Sequence, residues 1–285
     1  MPDIMAYEEV NESSSCGAKA KSLIHLGKNH FNIPDGFVLS YDVFEKYKAD
    51  HAYVDVISNE IHDSYKDLSK RSGHSAVAVR SSASVEDSNQ ASFAGLFETF
   101  LNVDGIDHVI HCVKKCFDAL DAKVLYDYAQ KRNIDKRQLR LSLIIQSMIK
   151  PLCSGVMFTK HPYRNDNMVI ESNLGLAQSV VSGAVVPDYY EIDLGADEYH
   201  ITSKIGTKEF SFSVGSNEVV EQQVSKEKQS KSSLTRENLE QLIALGTELE
   251  HHFGQPQDIE WTLSEDNTIV VLQSRPITIG KAMVL

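Results

Sequence analysis

Three stretches of this sequence set chemically capable side chains at useful spacings. The segment from Val79 to Val103, VRSSASVEDSNQASFAGLFETFLNV, puts a cation, Arg80, behind a short apolar run and follows it with hydroxyls, small residues and a glycine. Backbone N–H groups, hydroxyls and a guanidinium presented together suit an oxyanion. The same composition also describes a surface loop with an exposed arginine, since neither GxxxxGKS/T nor GxGxxG occurs. Near the C-terminus, Asp258-Ile259-Glu260 and Gln273-Ser274-Arg275 fall on the two strands of a predicted hairpin. A side-chain period of two places Asp258 with Glu260 on one face, and Gln273 with Arg275 likewise. A carboxylate, an amide oxygen and a guanidinium gathered there could hold Mg²⁺ and a polyphosphate together. A cross-strand salt bridge on a solvated face reads equally well. Lys19, after Cys16-Gly17-Ala18, is either an anion ligand near a helix start or a solvated lysine.

Two other groups are weaker. His108, His111, Cys112 and Cys116 have metal-ligand chemistry and share one side of a predicted helix, yet four ligands on one helix cannot easily close a tetrahedron. His161, in Thr159-Lys160-His161-Pro162, follows a predicted strand, where either a catalytic or a turn-forming role is open.

The elements that must position these residues are interleaved helices and strands, so the class is mixed α and β. A short helix is predicted over Ala18 to Leu26 and a strand over Ile33 to Leu39. Helical spacing runs from Tyr41 to about Ser69, and a short strand over 76–79 leads into Arg80. Residues 105–131 have the clearest helical period, with Val109, Ile110, Val113, Phe117, Leu120, Val124, Leu125 and Tyr128 on one stripe. Strands are predicted at Leu141 to Met148, Gly155 to Thr159 and Val169 to Glu171, and β-like alternation over 189–214. The polar run 221–233, EQQVSKEKQSKSS, reads as a mobile loop or linker. Thr235 then suits an N-cap, Leu234 with Leu239 a hydrophobic staple, and Gly254 a C-terminal stop.

Composition excludes some roles. Among 285 residues, 28 basic and 40 acidic side chains leave a net charge of −12, which argues against a general nucleic-acid or anionic-membrane binder. No apolar run reaches the length of a membrane span, and the acidic start is unlike a signal peptide. Cys16, Cys112, Cys116 and Cys153 are scattered as reduced thiols are, so a cytoplasmic protein is expected.

In order along the chain, the segments GAKAKSL, IPDGFVLS, AVRSSASVEDSNQASFAGLFETFLNV, SGVMFTKHP, GLAQSVVSGAVVPDYYEID, FGQPQDIEW and VLQSRPIT resemble one family. It is the ATP-binding domain shared by phosphoenolpyruvate synthase, pyruvate phosphate dikinase and rifampicin phosphotransferase. The resemblance implies an α+β, ATP-grasp-like fold of two lobes clasping a nucleotide. An N-terminal lobe is expected over 1–190, a C-terminal lobe with the hairpin over 191–280, and a tail over 281–285. By the resemblance, ATP and Mg²⁺ are the cofactors. Lys19 and Arg80 bind phosphate, Gly95 and Thr99 line the triphosphate, and Gln146, before Met148, lies at the adenine side. Glu260 and Gln273 hold metal and phosphate, with Asp258 a weaker metal ligand, and Arg275 stabilises the transferring phosphoryl group. The loop 88–99 is expected to fold over the phosphates.

The sequence also departs from the family. The histidine-domain signature of the larger members, similar to GGxTSHAA, does not occur, so the acceptor is expected outside this chain: a partner's phosphohistidine domain or a small molecule. Gln178 stands where GLGE-type motifs carry glutamate, and His161 where an acidic residue is usual. Three readings follow: a phosphotransferase with an external acceptor, a part of a multidomain synthase or antibiotic phosphotransferase, and a non-catalytic ATP-sensing or scaffold module.

Overall fold

The described residues build two larger antiparallel sheets, one in each of two units, and a two-stranded ribbon in the second. The computed structural model describes residues 2–84, 99–119, 139–164, 166–195, 198–216 and 218–277. One unit comprises Met1–Met148 with Ser216–Glu218, the other Ile149–Gly215 with Val219–Leu285. The α+β class is as expected.

The first unit contains β1 (Ile4–Ala6), a 3-10 turn (Tyr7–Glu9), α1 (Ala18–Lys28), β2 (Gly36–Leu39), α2 (Tyr41–Ala49), α3 (Tyr53–Val56) and α4 (Ser58–Ser72). It continues with β3 (Val77–Ala83), β4 (Thr99–Val103), α5 (Ile106–Asp118) and β5 (Leu141–Ser147). Its sheet has the order β1-β2-β5-β3-β4. Odd-numbered residues of β3 and β5 (Val77, Val79, Leu141, Leu143, Ile145) join Phe44, Ile61, Leu68, Val113 and Phe117 from the helices in one core. Each such fully buried large side chain contributes about 1.5–3 kcal/mol. The opposite face holds a smaller core of Val38 and Ile144 beneath Tyr7, Ala20 and Ile24. That face is less completely apolar, and it carries the polar residues of interest.

The second unit contains β6 (Pro151–Phe158), β7 (Met168–Leu174), α6 (Gln178–Val181), β8 (Asp188–Leu194), β9 (Tyr199–Lys204), β10 (Phe210–Val214) and β11 (Val219–Gln223). The short α7 (Lys226–Gln229), the long α8 (Arg236–Phe253), β12 (Gln257–Ser264) and β13 (Ile269–Pro276) follow. Six strands pair as β13-β12-β6-β7-β8-β9, and β10 with β11 forms a separate ribbon. Helix α8 starts at a capping box, in which Thr235 Oγ1 accepts from Asn238 N at 3.1 Å and Asn238 Oδ1 accepts from Thr235 N at 3.2 Å. It ends at Gly254, whose φ of 66° is left-handed. A Cβ on Gly246 would lie 2.8 Å from Met157 Sδ and Met168 Cε, so this glycine lets the helix ride close on the sheet.

Several expectations need correction. The units divide at 148/149 rather than 190/191, because β6, β7 and β8 hydrogen-bond into the sheet of the C-terminal hairpin. Arg80 lies inside β3 rather than after it. The run 221–233 is not a plain linker. It forms β11 and α7, and its backbone is held by a buried ion pair of Lys208 and Asp188, both fully buried. Lys208 Nζ donates to the Gln229 carbonyl at 3.1 Å, and Asp188 Oδ2 accepts from Ser233 N and Oγ, each at 2.7 Å. The histidines and cysteines of α5 do not share a side: Cys112 and Cys116 face the core while His108 and His111 are exposed. The predicted helix 105–131 is described over Ile106–Asp118. Leu120, Val124, Leu125 and Tyr128, most of the loop 88–99 with Gly95, and the tail 281–285 lie outside the described residues.

Candidate functional site

In the first unit the even-numbered residues of β3 (Ala78, Arg80 and Ser82) turn away from the helical core. Register fixes their neighbours: Arg80 stands opposite Thr99 on β4 and Ile144 on β5, while Ala78 stands opposite Gln146. Arg80, Thr99 and Gln146 therefore share one sheet face. The start of α1 docks on the same face. Gly17 N donates to Ser142 Oγ at 2.9 Å and Ala20 N to Ser82 Oγ at 3.3 Å. A Cβ on Gly17 would sit 2.2 Å from Ser82 Oγ, so only glycine permits this approach. Lys19, in the first helical turn, reaches the Ser81 carbonyl at 3.5 Å. Its charge is thereby held beside the strand that carries Arg80. Arg80 is 8% exposed and Gln146 3%, and Gln146 Oε1 is buried with no hydrogen-bond partner among the described residues. Met148 is buried beyond the end of β5, its N–H donating to the Ala76 carbonyl at 3.0 Å.

In the second unit the hairpin behaves as its alternation predicts. Asp258 pairs with Arg275 and Glu260 with Gln273 across the β12–β13 ladder, so all four side chains share a face. Ile259, Trp261 and Leu263 point the other way into the core. Arg275 Nε and Nη2 both donate to Asp258 Oδ2, at 2.9 and 2.8 Å. Burial raises the Asp258 carboxyl above its ordinary range, and the Arg275 guanidinium partly opposes that. Both readings of this hairpin are thus present at once: a cross-strand ion pair at Asp258–Arg275, and oxygen donors at Glu260 and Gln273 one step along the ladder. Among the described residues no group of three or more His, Cys, Asp or Glu side chains is arranged to hold a metal. One carboxylate and one amide oxygen instead fit a hard cation that brings the rest of its ligands as water and phosphate, as Mg²⁺ does.

Sequence reasoning missed Glu171. Glu260 pairs with Val156, and Val156 with Glu171, so the same face carries a further carboxylate two strands away. Burial raises its pKa. Only the period of β7 could have signalled it, and that strand is longer than predicted. His161 Nδ1 accepts from Tyr163 N at 3.1 Å, a turn-stabilising contact. Gln178 starts α6 and is exposed.

The first unit carries cations on a polar sheet face and the second carries oxygen donors beside a guanidinium, and each of these faces suits a charged, phosphate-rich ligand. The chain belongs to the family described as pyruvate phosphate dikinase, AMP/ATP-binding domain, whose pattern matches residues 50–284. A probable phosphoenolpyruvate synthase of Archaeoglobus fulgidus is 32% identical over 311 residues, covering 96% of this chain and 41% of that protein. A rifampicin phosphotransferase of Bacillus subtilis is 37% identical over 230 residues, covering 79% of this chain and 26% of that one. A probable phosphoenolpyruvate synthase of Pyrococcus horikoshii is 39% identical over 235 residues, covering 78% and 28%. The chain spans less than half the length of these relatives. Among solved structures, the D-alanine-D-alanine ligase from Coxiella burnetii is a distant likeness, with a TM-score of 0.42 at 11% identity over 94% of this chain and 50% of that one. No described helix is long and apolar enough to cross a membrane.

Proposed function

We propose that this chain binds Mg-ATP and donates a phosphoryl group to an acceptor outside itself. That acceptor is a phosphohistidine domain, as in a synthase-type relay, or a small molecule. The observation that carries the reading is the sorting of the residues: Lys19, Arg80, Thr99 and Gln146 on one face of the first sheet, and Glu260, Gln273 and Arg275 on one face of the second. Phosphoryl transfer asks a protein for positioning and charge neutralisation more than for covalent chemistry. Lys19 and Arg80 bind and orient the phosphates, Thr99 adds a hydroxyl donor, and Gln146 serves the base. Glu260 and Gln273 hold Mg²⁺, which when bound draws charge off the phosphate oxygens. Asp258 acts here as the positioning partner of Arg275 rather than first as a metal ligand, since Arg275 occupies its Oδ2. Arg275, aimed by that pair, meets the charge that grows on the moving phosphoryl group.

Arg275→Ala separates binding from transfer. Calorimetry should show Mg-ATP affinity within about threefold of the unaltered chain, while phosphorus NMR shows turnover down by about 10²–10³-fold. AMP with a phosphorylated partner would identify a synthase-like relay, and ADP with a phosphorylated metabolite a direct kinase. ATP binding without turnover in the unaltered chain, whatever acceptor is supplied, would leave only a nucleotide sensor. Absence of ATP binding would end the reading.

A further inference from the structure

Among the described residues, the buried polar atoms without a hydrogen-bond partner include the Tyr7 hydroxyl and Gln146 Oε1, and both belong to the same face of the first sheet. Tyr7 is 7% exposed and Gln146 3%. Gly36 connects them. It stands directly opposite Gln146 in the β2–β5 ladder, and a Cβ built on it would lie 2.6 Å from the Tyr7 hydroxyl. Register partners hold their Cβ positions about 4.5–5.5 Å apart. The hydroxyl thus hangs over the position neighbouring the Gln146 side chain, on the same sheet face. Ala78, the other register partner of Gln146, is small as well.

One of these atoms is a donor lacking an acceptor, and the other an acceptor lacking a donor. Burying either without a partner costs stability, and replacing tyrosine by phenylalanine would remove half of that cost. Unsatisfied polar groups kept inside an otherwise consistent core are the mark of a site rather than of packing. Burial, then the nearby Asp35 carboxylate, hold the Tyr7 pKa far above its ordinary value, with Arg80 opposing, so the hydroxyl stays protonated and able to donate.

We propose that Tyr7 is the positioning residue of the nucleobase subsite: with nucleotide bound, its hydroxyl donates to Gln146 Oε1 and turns the amide so that Nε2 donates to a ring nitrogen of adenine. This rests on the reading above that Gln146 serves the base. An amide whose oxygen is engaged offers only N–H to the ligand, whereas an unengaged amide flips and offers either polarity. Adenine presents an unprotonated N1, where guanine carries a hydrogen. Tyr7 therefore contributes selectivity as well as affinity, without touching the nucleotide.

Tyr7→Phe keeps the ring and removes only the hydroxyl. Without nucleotide, its melting temperature should rise, because an unsatisfied buried group is gone. Its Kd for Mg-ATP should nevertheless increase about five- to tenfold, and its preference for ATP over GTP should shrink by a similar factor. In a Gln146→Leu background, the same substitution should change the Kd by less than about twofold, since coupled residues are not additive. An unchanged Kd and an unchanged ATP-to-GTP ratio would overturn the proposal. So would a lower melting temperature without nucleotide, or an effect equally large in the Gln146→Leu background. If the unaltered chain binds no ATP, the functional reading falls as well; if it binds ATP and ignores the hydroxyl, only the role of Tyr7 falls.

Discussion

Two carboxyl groups on one face of the second sheet are pushed up by burial, and they differ in what compensates them. Asp258 has Arg275. The Glu171 side chain forms no hydrogen bond or ion pair among the described residues, and burial is the sole cause of its raised pKa. A carboxyl raised in the folded state binds protons more readily there than in the unfolded chain. Its ionisation therefore costs stability at neutral pH, and that cost disappears as the pH falls through the folded pKa toward the unfolded one. Glu171→Gln mimics the protonated form. It should stabilise the protein at pH 7 by up to about 1 kcal/mol, discounted because the side chain still meets water. The gain should vanish on acidification below pH 4 or so. Denaturant melts at several pH values check this; a gain independent of pH would mean that Glu171 titrates normally and that the substitution acts through packing.

At the level of elements, the joint around Lys208 and Asp188 shows how the second unit holds its polar connections. Asp188 begins β8 and accepts from Gly206 N at 2.9 Å and from Ser233, while Lys208 reaches Gln229. One buried pair thus fixes the segments before β10, after α7 and before α8. Lys208→Met would leave Asp188 charged and unpaired in the interior, costing about 3–5 kcal/mol, whereas Lys208→Met with Asp188→Asn should recover much of that loss. Chemical denaturation of the single and double variants reads both numbers; equal losses in the two would mean that the pair is not coupled. This joint was not legible in the sequence. Lys208 lies in a polar stretch, and nothing local distinguishes a lysine that will be fully buried from one in solvent. The same blindness made 221–233 look like a linker. Where one face alternates against a core, the sequence was sufficient: period two alone puts Asp258 with Glu260, and Gln273 with Arg275, on one face, while the register between the strands depends on the turn and on a bulge after Glu260. The cap at Thr235 and the stop at Gly254 were legible as well. Strand extent was less legible, because β3 runs on through Arg80, Ser81 and Ser82. Their burial depends on α1 and β5, contacts remote in sequence.

For the molecule as a whole, charge sets how an anion arrives. Twenty-eight basic and forty acidic residues leave a net charge of −12, so the long-range field repels a nucleotide that the local cations Lys19 and Arg80 are proposed to hold. These opposing effects have different ranges. Salt shortens the Debye length from about 30 Å at 0.01 M to about 8 Å at 0.15 M, which removes distant repulsion first and close contacts with buried groups last. Arg80 is buried within β3 and its contacts resist screening. The association rate of a fluorescent ATP analogue should therefore rise with sodium chloride over this range, while its dissociation rate rises more slowly. Stopped-flow binding at four or five salt concentrations measures both rates. A steep fall of the association rate with salt would instead reveal a positive field focused on the approach path, strong enough to outweigh the net charge.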